Sequence, residues 1–336
     1  MIFSESNDFP YIIAEIGGNH EGDFNYAKKL ANLAIEAQVD CIKYQVYSGE
    51  TLVNGKLDAA RVKHFNKFEL SRSQYEYLAT MCHENNIEFS ASVWDKDSLK
   101  WLDKYLSFYK IGSGDLTNYE IIYELINRQK PILLSTGLAT LQEIADTVDF
   151  IHSKSQFYTQ YGSLGLLQCT SMYPIPDEEA NLLVMNKLAS IYNHPVGYSD
   201  HTKGTYAVEV AAIMGASIIE IHFTDDTSRS FRDHGVSFTK DDILNFKKKF
   251  TIIQAIKGTE IKEPTKSEIS SGHINSFRRG IFLKNDKNRG EIIESDDLIS
   301  LRPDKGISAN QYYELLGKTL MADMKAYEPL SIKLFE

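Results

Sequence analysis

Short β-branched or apolar runs alternate along this chain with longer stretches whose apolar residues recur at helical spacing, and little else fits between them. The runs are YIIAEI (11–16), CIKYQV (41–46), IEFSAS (87–92), FYKIG (108–112), PILLS (131–135), LGLLQC (164–169), PVGYS (195–199) and SIIEIHF (217–223). Helical patterns occupy 24–38, 73–86, 95–106, 117–128, 140–153, 181–193, 203–215 and 239–257. Eight βα units within about 250 residues match the size of a closed (β/α)₈ TIM barrel. A doubly wound sheet alternates too, but eight strands with so little else favour closure. The fold class expected is α/β.

Periodicity fades after residue 258. The stretch KGTEIKEPTKSEISSGH is polar and reads as a linker, placed at 259–276. Beyond it, 277–336 carries the short β-like runs RGIFL, LISLR and LSIKL around the turn segments KNRGE and RPDKG. The expected organisation is a barrel domain at 1–258, the linker, and a small β-rich domain at 277–336.

Composition narrows the function classes. With 36 Lys and Arg against 46 Asp and Glu, the net charge of −10 argues against a nucleic-acid or anionic-membrane surface. Three cysteines (Cys41, Cys82, Cys169) are too few for a disulfide framework and point to a reducing compartment. The N-terminal MIFSESNDFP has no basic and apolar leader pattern, and no apolar run approaches about 18 residues. A cytoplasmic, soluble protein is expected.

Barrels of this kind keep their chemistry at the C-terminal ends of the strands. Those ends carry Glu15, Lys43, Gln45, Ser92, Lys110, Ser113, Ser135, Tyr173, Ser199, Asp200, His201, Glu220 and His222. Each alone has an ordinary reading, since a strand-end Lys commonly snorkels to the surface; convergence from so many strands is what marks a site. His201 and His222, on adjacent units, are spaced either for one divalent ion with open positions or for a plain hydrogen-bonded pair. Lys43 and Lys110, with the hydroxyls of Ser92, Ser113 and Ser135, suit a phosphate and a carboxylate. KIGSG (110–114) adds backbone N–H groups at a glycine turn. No GxxxxGK[ST] or GxGxxG loop is present. Cys169 reads as a small core residue, and His64, His83, His152 and His194 as surface or loop residues.

Seven strings, YIIAEIGGNHEGD, CIKYQV, YKIGSGD, LLSTGLAT, LLQCTSMYP, GYSDHT and EIHFT, stand in the order and spacing of the sialic acid synthase family. The chain resembles that family from about residue 10 onward, and its tail is similar to the antifreeze-like SAF domain of those enzymes. The resemblance implies condensation of phosphoenolpyruvate with a 2-acetamido aldose of the mannosamine type and release of phosphate by C–O cleavage. It implies that His201 and His222 bind a divalent metal, usually Mn²⁺, with Mg²⁺ or Co²⁺ as alternatives. Lys43, Ser92, Lys110, Ser113, Ser135 and Ser199 fall at phosphoenolpyruvate-binding positions. Glu15, Gln45, Tyr173, Glu220 and Asp233 fall at sugar-binding or acid/base positions. Arg302, in LRPDKG, matches an arginine that a neighbouring subunit's tail inserts into the barrel mouth, which implies a domain-swapped homodimer.

In that chemistry Lys43 and Lys110 stabilise the departing phosphate, and Glu220 manages protons, with Glu15 as the competing residue. Glu220 has a second reading, as an acceptor orienting a metal-bound histidine. Departures from the family pattern surround the sugar: SASVWD after the third strand, Ser171, Ile221, and Phe231-Arg232 ahead of Asp233-His234. The segment 48–70 carries no alignable motif. Arg229 and Arg232 are the basic residues available for a phosphate on the sugar. Two alternatives stay open, a Kdn-type condensation on a sugar phosphate and a catalytically inactive carbohydrate-binding homologue.

Overall fold

The computed structural model describes residue 3 and residues 9–336. The N-terminal stretch read above for a leader lies largely outside the described residues. Residues 1–258 and 259–336 form two compact units.

In the first unit, β1 (Tyr11–Glu15), β2 (Cys41–Val46), β3 (Glu88–Val93), β4 (Tyr109–Ile111), β5 (Ile132–Ser135), β6 (Leu164–Cys169), β7 (Val196–Asp200) and β8 (Ile218–His222) pair in sequence order. All pairs are parallel, and β8 returns to β1, closing the barrel. Helices after the strands form the outer layer, the longest at Lys240–Lys257. Their starts are set by local side chains: Asp23 accepts from the N–H groups of Asn25 and Tyr26, and Ser71, Thr140 and Thr239 form capping boxes.

Strand side chains alternate between the two faces of the sheet, which sorts them into layers. Outward residues such as Ile12, Ala14, Ile42 and Tyr44 pack in the main core. Inward residues Ile13, Cys41, Phe108, Leu133, Leu167 and Ile218 form a separate apolar layer with Phe3. Two positions further along the same six strand segments stand Glu15, Lys43, Lys110, Ser135, Cys169 and Glu220. The same alternation that plugs the barrel therefore stacks a polar tier on the plug. Gly197 is required here, because a Cβ would strike the Ile218 carbonyl and the Leu167 side chain.

The segment 48–70 is not a plain loop: it holds short helices at Gly49–Leu52 and Ala59–Asn66, the second with no buried residue. In the second unit, 259–276 is exposed almost throughout, yet it contains one-turn helices, Lys266–Ser270 and His273–Phe277. The first is set by a Thr265–Glu268 capping box. Antiparallel β9 (Gly280–Leu283) and β10 (Leu298–Leu301) sit on a core that includes Ile281, Leu283, Leu298, Leu315 and Leu330. The LSIKL run is not a strand. It folds as a 3₁₀ turn at Ile332–Leu334, because Leu330 and Phe335 enter the core and Leu334 packs against it, while Ser331, Ile332 and Lys333 stay outside. No helix among the described residues is long and apolar enough to cross a membrane.

Candidate active site

Above the apolar plug lies a cavity of about 640 Å³ lined by Glu15, Lys43, Gln45, Ser92, Lys110, Ser113, Ser135, Tyr173, Ser199, His201, Glu220 and His222. Register explains the gathering: Glu15 is paired with Lys43 and His222, Gln45 with Ser92, Ser92 with Lys110, and Ser199 with Glu220. Neighbouring strands thus deliver these side chains at one level. Asp233 does not line the cavity; it is buried beside Arg232, which does, and accepts from Arg232 Nε at 2.9 Å. Arg302 belongs to the second unit, where its guanidinium sits 5.2 Å from the centroid of the Phe277 ring.

The floor is a network of buried charge. Lys43 pairs directly with Glu15, donates to Ser92 Oγ at 3.2 Å, and lies 3.8 Å from Glu220. Lys110 donates to Ser135 Oγ at 2.6 Å and lies 3.5 Å from Glu220. Ser199 Oγ donates to Glu220 at 3.1 Å, and Gln45 Nε2 to Glu15 at 3.0 Å. Burial pushes both carboxyls toward the neutral form. For Glu15 burial, helped by Glu220, outweighs Lys43, and the group titrates above its ordinary value. For Glu220 burial is outweighed by Lys110 and then Lys43, and its carboxyl is held down at about 2. Burial lowers Lys110, with Glu220 only partly offsetting it; at Lys43 the opposing burial is overcome by Glu15 and Glu220, which raise it.

The two histidines stand with ring centroids 5.3 Å apart, and Tyr173 lies against both. His201 Nδ1 is 2.7 Å from the Thr170 carbonyl, so it carries the proton and leaves Nε2 with a lone pair. Burial, then His222, keeps the His201 ring neutral, with a pKa of about 3. His222 Nδ1 is buried with no hydrogen-bond partner. Two imidazoles, one lone pair directed by a backbone carbonyl and one orphaned nitrogen, suit a first-row divalent ion that keeps open positions for water and substrate oxygens. Among the described residues no larger His, Cys, Asp or Glu cluster is arranged for a metal. Glu220 makes its hydrogen bond to Ser199 and faces the lysines, which disfavours the reading of it as an acceptor orienting a histidine.

Residues 30–262 match the NeuB family and residues 278–336 match the SAF domain. The chain belongs to the NeuB family. It is 33% identical over 330 residues to the N,N'-diacetyllegionaminic acid synthase of Campylobacter jejuni, covering 94% of this chain and 97% of that one. Against the pseudaminic acid synthase of Helicobacter pylori it is 30% identical over 339 residues, covering 96% of each. Among solved structures, the N-acetylneuraminic acid synthetase of Leptospira borgpetersenii superposes with a TM-score of 0.71 at 30% identity, over 80% of this chain and 92% of that one. This NeuB-family protein is an enzyme of the sialic-acid-synthase type.

Several residues of the NeuB-family cavity were not anticipated from sequence. Arg61 and Phe65 line it from the Ala59–Asn66 helix, inside the segment without a motif. Trp94 and Asp115 line it too; both stood inside quoted strings, SASVWD and YKIGSGD, without being singled out. Ser171 and Arg232, noted as departures, are on the wall. Cys169 is not simply core: it faces the cavity, with Sγ 3.8 Å from His201 Nδ1. Arg229 is absent from the lining and is held by Glu21. His194 lies in a loop as expected but is buried, with Nε2 3.1 Å from His152 Nε2.

Proposed function

We propose that the protein condenses phosphoenolpyruvate with an N-acylated amino-aldose of the N-acetylmannosamine type and water, giving a nine-carbon 2-keto sugar acid and phosphate. The observation that carries this reading is the pairing of two buried lysines with serine hydroxyls on one cavity floor, Lys43 with Ser92 and Lys110 with Ser135. A small polyanion such as phosphoenolpyruvate needs fixed cationic and hydroxyl donors in a water-poor site, and a purely structural barrel does not.

C3 of phosphoenolpyruvate bonds to the aldehyde carbon, and the aldehyde oxygen gains a proton. Water adds at C2 and gives up one proton; the C2–O bond to phosphate then breaks as the new C2 hydroxyl becomes the keto oxygen and its proton leaves with the phosphate. Lys43 and Lys110, with Ser113 and Ser199, hold the phosphate and carboxylate and balance the charge that leaves. Glu15, the carboxyl that burial shifts toward the protonated form, delivers the proton to the aldehyde oxygen; Glu220 stays ionised and keeps both lysines charged. Gln45, Tyr173 and Asp233 orient the acceptor. His201 and His222 would hold a divalent ion, Mn²⁺ by resemblance with Mg²⁺ or Co²⁺ as alternatives, which supplies Lewis-acid polarisation of a carbonyl oxygen. The resemblance further assigns Arg302 to the acceptor end of a second copy in a domain-swapped homodimer.

The relatives named as N,N'-diacetyllegionaminic acid synthases support a 2,4-diacetamido acceptor. The test is phosphate release from phosphoenolpyruvate with Mn²⁺ across N-acetylmannosamine, its 6-phosphate, mannose 6-phosphate and 2,4-diacetamido-trideoxy-hexoses. Acceptor-dependent, chelator-sensitive release supports the reading, and the best acceptor names the reaction. No release with any acceptor, from folded protein that binds phosphoenolpyruvate, removes it. A monomer in light scattering, or an unchanged acceptor KM in Arg302→Ala, removes the shared-site part.

A further inference from the structure

Arg232, bonded to the buried Asp233, reaches the cavity wall from the segment after β8, and that segment is tied down by residues outside the cavity. At its base, Asn19 Nδ2 donates to the Phe223 carbonyl and to Ser237 Oγ, each at 2.9 Å. Nearer its tip, one carboxylate oxygen, Glu21 Oε1, accepts from Arg229 Nε at 2.9 Å and Nη2 at 2.7 Å. The same oxygen lies 3.2 Å from Nε2 of His234, whose ring is buried and whose Nδ1 is 2.6 Å from Thr224 Oγ1. Arg229 also lies over the Tyr26 ring, 4.3 Å from its centroid.

Glu21 is held with φ at +53°, in the left-handed region that a glutamate adopts at a cost. Burial opposes its charge, but hydrogen bonds from Arg229 and His234 outweigh it and hold the carboxyl below its ordinary value. Between the two ties the segment also packs on its neighbours. Phe231 seats on Gly18, where a Cβ would come within 2.8 Å of its ring, and packs on Phe68 at 4.8 Å between centroids. The next residue, Arg232, lies over Tyr173 at 4.4 Å and bonds Asp233. Glu21, Arg229 and His234 line no part of the cavity, so whatever they contribute passes through these neighbours.

We infer that Glu21 is a positioning residue for acceptor recognition: by clamping Arg229 and His234 it fixes the segment that presents Arg232 and Asp233 to the sugar, while leaving the phosphoenolpyruvate half of the site untouched. The effect on acceptor binding rests on the reaction proposed above; the clamp itself does not. Loosening a positioning element shifts substrate-contacting groups by fractions of an ångström to an ångström, so Glu21→Gln and Arg229→Ala raise the acceptor KM by about tenfold with the phosphoenolpyruvate KM within about twofold. Arg229→Lys, which keeps the charge but loses the fork of donors, falls between Arg229→Ala and the parent.

The experiment is steady-state kinetics on full-length protein with each substrate varied in turn, together with hydrogen–deuterium exchange of the amides at 226–236. Arg229 is an exposed surface residue, so its variants fold even if Glu21→Gln does not. Faster exchange at 226–236 with a selective rise in acceptor KM upholds the inference. Unchanged exchange, or both KM values rising together, overturns it. If the parent protein turns over no acceptor, the reaction reading fails on its own; faster exchange in Arg229→Ala then still upholds the clamp, and unchanged exchange overturns it.

Discussion

Glu15 and Glu220 stand on neighbouring sides of one ammonium group, Lys43 Nζ, yet their carboxyls are driven in opposite directions. Of the two lysines Glu15 pairs only with Lys43 and is dominated by burial, whereas Glu220 lies within 4 Å of both Lys43 and Lys110. The pair is thus pushed apart, Glu15 toward the protonated form and Glu220 toward the charged one.

Substituting the two therefore separates them. Glu15→Gln is expected to lower kcat by about 10²–10⁴ with little loss of thermal stability, as for removal of a proton-transfer group. Glu220→Gln leaves two buried lysines short of a counter-charge, and is expected to destabilise the fold by about 3–5 kcal/mol. Paired kinetics and thermal melts check this; equal loss of stability in both variants contradicts the division.

Ser135 is predicted to act on phosphoenolpyruvate alone. Its hydroxyl accepts from Lys110 at 2.6 Å and orients that ammonium group. Ser135→Ala removes one hydrogen bond to a charged group, worth about 1.5–3 kcal/mol, so the phosphoenolpyruvate KM rises by about tenfold or more. An unchanged KM would place the phosphate elsewhere in the cavity.

Metal retention is predicted to depend on the histidine pair. His222→Ala, which removes the orphaned Nδ1, is expected to fold and to lose Mn²⁺ binding by titration calorimetry or electron paramagnetic resonance, with turnover lost alongside. Chelator treatment of the parent should reproduce the kinetic loss, and Mn²⁺ should reverse it. Parent-like Mn²⁺ affinity in the variant would exclude His222 as a ligand.

Acid is predicted to destabilise the protein partly through His20. Burial holds this ring neutral, its pKa lowered to about 4 from 6.5. Between those values the unfolded chain takes up a proton that the folded one refuses, so the stabilisation is complete above pH 6.5 and fades toward pH 4. The contribution is on the order of 3 kcal/mol, and His20→Gln should flatten the fall in Tm between pH 7 and 4.5 by most of that share. An identical pH slope in the variant would contradict it.

The barrel and the tier of its polar residues are written locally. Period-two alternation places Ile13, Cys41 and Ile218 inside and puts Glu15, Lys43 and Glu220 two steps further along, and strand order follows the chain. The histidines, lysines and serines of the site were legible for the same reason, since each sits at or beside a strand end. The mouth was not. Arg61 and Phe65 ride on a helix with no buried face and no motif, and Cys169 looked like any strand residue until register turned it toward His201. Which carboxyl holds a proton depends on burial and on distances to lysines from other strands. The Glu21–Arg229 bond joins residues 208 apart in the chain. The sequence by itself determined the fold and the floor of the site, through local periodicity and strand ends, and pointed to the family through the resemblance of its motif strings. Only the tertiary structure decided charge states and the clamp on the acceptor side, because both depend on neighbours that folding brings together from distant parts of the chain.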